Sequence, residues 1–273
     1  MEDDDKKRRA RAALIDTAVP NAARVADYLN GGKNNFEADR KAARTMTAAA
    51  PVIGVIPLAA RAFRERVVRF LVAEAGVTQF LDVGIDLAAS GGTHESAQAI
   101  DPHCRVVYVD SDPMVLAHAR ALRSGPDGGT ACLDADIRDP RAVMAGARAT
   151  LDLDRPLAVL LLSLAPLAYL ANTARAAAIV SGLLAAAPSG SHVALYHHAS
   201  DLDQELPAAI GRWNRHSSQP VTLRSRDEVA SLVAGLDLVP PGLVPICDWR
   251  PAAGDPRFEA AVPVYGVVAR KPQ

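Results

Sequence analysis

The sequence predicts a doubly wound α/β fold: one Rossmann-like, mostly parallel sheet with helices on both faces. Three observations carry this expectation. Short apolar runs alternate with helix-compatible segments from about residue 79 onward. One run, Leu157–Leu162, is apolar at every position, as in a central strand covered on both faces. Residues 79–120 follow the order apolar run, small-residue loop, helix-compatible segment, apolar run, carboxylate. In a doubly wound sheet that order builds a nucleoside crevice at the carboxyl ends of the strands.

Taken along the chain, residues 1–18 read as a charged lead-in. Asn21 can cap a short helix that presents Val25, Tyr28 and Leu29 on one face before Gly31-Gly32 stops it. Helical pieces follow at Phe36–Thr47 and Arg61–Ala75, the latter with Phe63, Val67, Phe70 and Leu71 at helical spacing. Strands are expected at Gln79–Val83, Val106–Asp110, Thr130–Leu133, Leu157–Leu162, Val193–His197, Gly242–Cys247 and Val262–Ala269. Helices between them are expected at Pro113–Leu122, from Pro140 to about Ala149, at Thr173–Ala187, and over 203–216 and 226–236. Asp112, Asp139 and Ser225 stand as N-caps.

Bulk properties narrow the function. A composition 49% hydrophobic and 22% charged supports a sizeable core. A net charge of −1 supplies no electrostatic case for nucleic acid or an anionic membrane. Cys104, Cys132 and Cys247 lie far apart without metal-ligand spacing, so free thiols in a reducing cytoplasm are expected. No apolar run approaches the roughly 20 residues needed to span a bilayer, and the charged start lacks the apolar stretch of a secretory signal.

The loop after the first strand selects the ligand. A dinucleotide site wants G-x-G-x-x-G, so that backbone N–H groups approach a pyrophosphate. Here the loop reads Gly84-Ile85-Asp86-Leu87-Ala88-Ala89, with Asp86 in the second glycine position, where a carboxylate would repel phosphate. S-adenosylmethionine (SAM) has no phosphate, and its sulfonium and α-ammonium tolerate an acid nearby. SAM is therefore expected over NAD, with Asp110 at the end of the second strand reaching the ribose diol.

Several blocks carry a family resemblance: PNAARVADYLNGGKNNF at 20–36, FLDVGIDL at 80–87, His94-Glu95, VVYVDSDPMVLAHAR at 106–120, DADIRDP at 134–140 and RSRDEVASLVAGLDLVPPGLVP at 224–245. Through them the chain resembles the actinobacterial SAM-dependent methyltransferase-fold family formerly classed as a domain of unknown function. The resemblance implies a seven-stranded methyltransferase sheet of order 3-2-1-4-5-7-6. It implies an N-terminal helical cap and lid, residues 1–75, on a SAM-binding domain, residues 76–273. The family's G-x-G-L-P-T becomes GIDLAA here, and Gly84 is retained. The activity implied is methyl transfer to a small-molecule acceptor, secondary metabolites included, leaving S-adenosylhomocysteine. The alternatives are a catalytically degenerate ligand-binding or scaffolding protein, and SAM chemistry other than methyl transfer. A homodimer is the expectation by analogy.

The candidate cofactor residues are Asp82, Gly84, Asp86, Asp110 and Ser111 at the ends of the first two strands, and Asp136 with Ile137 after the third, around the adenine. Ser163 follows the fourth strand, and His94 enters through the resemblance. Tyr28, Gly32 and Asn35 belong to a polar, glycine-rich segment expected to fold over the site, where Tyr28 or Phe36 could face the sulfonium. His197 and His198 end the fifth strand; one of them would face the crevice and act as general base. Their opposed directions argue against a metal site.

Overall fold

Alternating side chains along each strand supply both faces of the sheet at once. In β1 (Gln79–Val83), Phe80 packs into one hydrophobic cluster, and Leu81 and Val83 into the other. The same division recurs in β4 (Ala158–Leu161), between Ala158 and Leu160 on one side and Val159 and Leu161 on the other. The computed structural model describes residues 16–85, 87, 92–122, 129–163, 165–217 and 219–273.

The remaining strands are β2 (Arg105–Asp110), β3 (Thr130–Asp134), β5 (His192–His198), β6 (Asp237–Leu238), β7 (Val244–Pro245) and β8 (Val264–Arg270). They form one sheet of order β3-β2-β1-β4-β5-β8-β6, with β7 also paired to β8. Strands β1 to β5 run parallel. β8 inserts antiparallel beside β5, from His192 opposite Arg270 to His198 opposite Val264. This is the expected methyltransferase sheet, except that the predicted strand over Gly242–Cys247 contracts to Val244–Pro245 and Asp237–Leu238 shares its place. Pro240, Pro241 and Pro245 carry no N–H for a ladder, so pairing survives only in short pieces.

Helices α1 (Ala22–Leu29), α2 (Glu37–Ala49) and α3 (Ile56–Ala73) form the cap. α3 starts earlier than the apolar spacing predicted because Pro57 is accommodated in its first turn. The cap packs on the sheet face that bears Phe80, Tyr108 and Leu160, together with α4 (Thr93–Gln98), α5 (Pro113–Leu122) and α9 (Leu206–Asn214). The opposite face is covered by α6 (Pro140–Ala147), α8 (Thr173–Ala185) and α10 (Arg226–Ser231). A short α7 (Ala165–Ala168) follows β4.

Buried polar groups fasten the cap. Asp39 accepts from Arg24 Nε at 2.9 Å, Asn21 N–H at 2.9 Å and Phe36 N–H at 2.8 Å, which knots α1 to α2. Arg64 of α3 donates to the Leu162 carbonyl at 2.8 Å, and Arg66 donates to the Trp249 carbonyl at 2.8 Å. Among the described residues no helix is long and apolar enough to cross a membrane.

Candidate active site

At the carboxyl ends of β1 and β2 the chain opens into a cavity of about 530 Å³. That size lies within the range of small-molecule sites. β1 ends at Val83, and Gly84 turns the chain with φ +82°, a left-handed conformation that a side chain resists. The Gly84 N–H donates to the Val109 carbonyl at 2.9 Å, which ties the turn to β2.

Asp110 sits where β2 ends. Its carboxylate accepts from the Ile85 N–H at 2.9 Å and from the Asp112 N–H at 2.8 Å. These bonds use part of an accepting capacity of about four. The side chain lines the cavity, so the rest is available to a ligand's hydroxyls. Burial pushes the Asp110 carboxyl up to about 6, although the Ile85 and Asp112 N–H groups pull it down. Asp112 caps α5 through bonds from Met114 N–H at 2.8 Å and Val115 N–H at 3.3 Å, and it also accepts from Asn21 Nδ2 at 3.4 Å.

The other expected residues fall into two groups. Gly84, Asp110, Ser111, Asp136 and Ile137 converge on the cavity. Asp136 is also held by Arg138, whose guanidinium lowers its carboxyl below the usual range. In the second group, partners within the chain occupy Asp82 and His94: Asp82 accepts from Thr93 Oγ1 at 2.6 Å, and His94 Nδ1 lies 2.9 Å from the Tyr108 hydroxyl. Ser163 Oγ is buried with no hydrogen-bond partner among the described residues. Asp86 lies outside the described residues.

The expected lid over the site takes a different form. The Asp27 carboxylate draws the loop onto itself, accepting from Asn34 N–H at 2.7 Å and Asn35 Nδ2 at 2.8 Å. A Cβ at Gly32 would sit 2.1 Å from Asp27 Oδ1, so only glycine fits. Tyr28 pairs with Arg44, and Arg24 stacks 5.2 Å from the Phe36 ring centroid. These rings are engaged by arginines, and the cap instead reaches the cavity through Asn21 and Ala23.

The two histidines also separate. His197 points away from the cap. Its Nδ1 lies 3.0 Å from the His198 carbonyl, and its Nε2 meets the Arg224 guanidinium. Arg224 has no lone pair to offer, so Nε2 must accept and Nδ1 carries the proton. Burial, with Arg224 adding to the effect, lowers His197 to about 4. With its lone pair occupied, His197 cannot serve as the expected base. Arg224 is fully buried and also donates to the Leu167 and Leu170 carbonyls, so this cluster clamps the chain after β4 to the end of β5. His198 faces the cap and lines a separate apolar cavity.

The sequence reading missed Tyr169, Asn21, Gln219 and Pro220, all of which line the main cavity. The signal available for Tyr169 was its position shortly after the fourth strand, where such crevices open. Burial and the neighbouring Asp110 and Asp112 charges hold its phenol well above the usual range.

The profile of the S-adenosyl methyltransferase family matches residues 8–272, nearly the whole chain. The chain belongs to that family. It is a SAM-dependent methyltransferase. A DUF574 family protein from Streptomyces avermitilis is 38% identical, with a TM-score of 0.86 over 94% of this chain and 100% of its own. A candidate methyltransferase from Thermobifida fusca is 33% identical, with a TM-score of 0.85 over 94% of this chain and 97% of its own. No curated protein matches the sequence.

Proposed function

We propose that this methyltransferase acts on a small-molecule acceptor, a secondary metabolite being the expected kind, and holds SAM in the 530 Å³ cavity. The observation that carries the cofactor assignment is Asp110. Its carboxylate is already oriented by two backbone N–H groups and keeps acceptor capacity toward the cavity. In this reading Asp110 takes the ribose diol, and Ile137 with Asp136 flanks the adenine. Gly84 gives the close backbone approach that the methionine part requires.

Bound SAM supplies an electrophilic methyl group. The chain's own work is to align the acceptor and to exclude water. A cleft edged by Asn21 and Ala23 of the cap and bordered by apolar residues supports a small acceptor over a polymer. Cys104 and Cys247 are free thiols, which suits a reducing compartment and hence a cytoplasmic enzyme.

Calorimetric titration with SAM and S-adenosylhomocysteine tests the reading. Micromolar binding of both is expected. Asp110→Ala should weaken it by about 10²-fold, since hydrogen bonds to a charged group contribute roughly 1.5–3 kcal/mol each. Unchanged affinity in that variant would remove the ribose assignment. No binding at millimolar concentration would sink the cofactor site itself.

A further inference from the structure

A second cavity, of about 60 Å³, lies on the cap side of the sheet. Tyr169 lines both this cavity and the cofactor cleft, so the two are neighbours. The cap contributes Val25, Met46 and Ile53 to its wall, and α9 contributes Ile210 and Trp213. Trp213 Nε1 donates to the Gln219 carbonyl at 3.1 Å, which leaves only its ring for a ligand.

Apart from Tyr169, the polar group in this lining is His198. It is 7% exposed, and its Nδ1 is buried with no hydrogen-bond partner among the described residues. A buried polar atom left unpaired loses its hydration with nothing in exchange. The observation therefore points to a missing partner that enters the cavity.

We propose that this cavity is the acceptor subsite, and that it takes a neutral, apolar-bodied alcohol or phenol whose hydroxyl donates to His198 Nδ1. The proposal rests on the methyltransferase reading above. A charged acceptor would find no counter-charge in the lining and would be stranded there. A wholly apolar ligand would leave His198 unpaired. An apolar cavity that admits benzene measures about 150 Å³, so a full ring requires the wall that carries Ile210 and Trp213 to give way, which Ile210→Ala relieves. Burial lowers His198 to about 3. It is therefore neutral at physiological pH and orients the hydroxyl through its lone pair; as the acceptor oxygen bonds the methyl carbon and the carbon–sulfur bond breaks to leave S-adenosylhomocysteine, the hydroxyl proton, made strongly acidic by the forming bond, passes to His198 Nδ1.

The test uses phenol, toluene and benzoate as probes, read by Trp213 emission with and without saturating S-adenosylhomocysteine. Trp213→Phe serves as the control for Trp249. Phenol is expected to bind about fivefold tighter than toluene and at least tenfold tighter than benzoate. His198→Leu should equalise phenol and toluene, and Ile210→Ala should strengthen both by enlarging the space. An NOE from the ¹³C-methyl of bound SAM to phenol ring protons is expected. The subsite is overturned if benzoate matches phenol, if the preference over toluene survives in His198→Leu, if no probe changes the emission of either wild type or Ile210→Ala, or if both ligands bind without an NOE. If S-adenosylhomocysteine binds and phenol does not, the subsite alone fails. If phenol binds and S-adenosylhomocysteine does not, the methyltransferase reading fails and takes the acceptor role with it.

Discussion

Asp110 shows how one side chain sets both architecture and chemistry. Its carboxylate joins the β1 turn to the β2 end through the Ile85 and Asp112 N–H groups. Burial raises it to about 6, within reach of ordinary buffers. The hydroxyls of a ribose diol donate, so they favour the ionised carboxylate, and protonation competes with binding. S-adenosylhomocysteine affinity is therefore expected to be level above about pH 7 and to fall as pH drops through 6, approaching tenfold per unit. Below pH 7 the ligand's own α-amino group is already almost fully protonated, so it adds little to the fall. Calorimetry from pH 7.5 to 5 measures this, and a flat profile would mean that Asp110 is not the ligand's acceptor.

Among the elements, the segment after β4 depends on a clamp that neither neighbouring helix provides. Arg224 reaches from the stretch before α10 to the Leu167 and Leu170 carbonyls and to His197 on β5. Its Nε also donates to Thr173 Oγ1 at 3.2 Å, at the start of α8. Tyr169 lies inside the loop held in this way, so the clamp fixes a wall of the main cavity. Replacing Arg224 by Met removes the donor to the Leu170 carbonyl and to the His197 nitrogen, and leaves the Leu167 carbonyl with only the Leu170 N–H at 3.2 Å. The variant is expected to lose about 3 kcal/mol of stability, as when one partner of a buried polar cluster is removed. Urea unfolding checks this, and a change below about 1 kcal/mol would show that the cluster is dispensable.

For the whole molecule, buried titrating groups determine the response to acid. Burial lowers His192 and His197 to about 4 and His198 to about 3. As pH falls below 6.5 the unfolded chain binds protons that these folded histidines refuse, so stability is lost on acidification. Asp110 acts in the opposite sense. With its folded value raised to about 6, it binds a proton in the folded state first, and this offsets about one of the three. The net difference near pH 5 is about two protons, equivalent to roughly 3 kcal/mol per pH unit. Urea denaturation at pH 7, 6 and 5 should show this decline, and equal stability at pH 7 and 5 would refute it.

Strand positions, the end of the sheet at which the crevice opens and the cleft group around Gly84, Asp110 and Ile137 were legible because they follow from local rules, whereas the strand order came through the family resemblance. Apolar runs mark buried strands, a glycine turn follows the first, and an acid ends the second. The partnership of distant residues was not legible, because pairing across tens of residues leaves no periodic signal. The sequence placed His197 and His198 on opposite faces. Only the packing of Arg224, 27 positions from His197, decided that His197 is consumed in a clamp and that His198 is left with an open nitrogen. In the same way, Asp27 and Arg24 engage the loop over residues 30–36, and Asn21 stands at the cleft in its place. The sequence by itself determined the fold and the cofactor, since both rest on short-range patterns. The tertiary structure alone decided which polar atoms remain unsatisfied, because satisfaction depends on every neighbour that burial brings near.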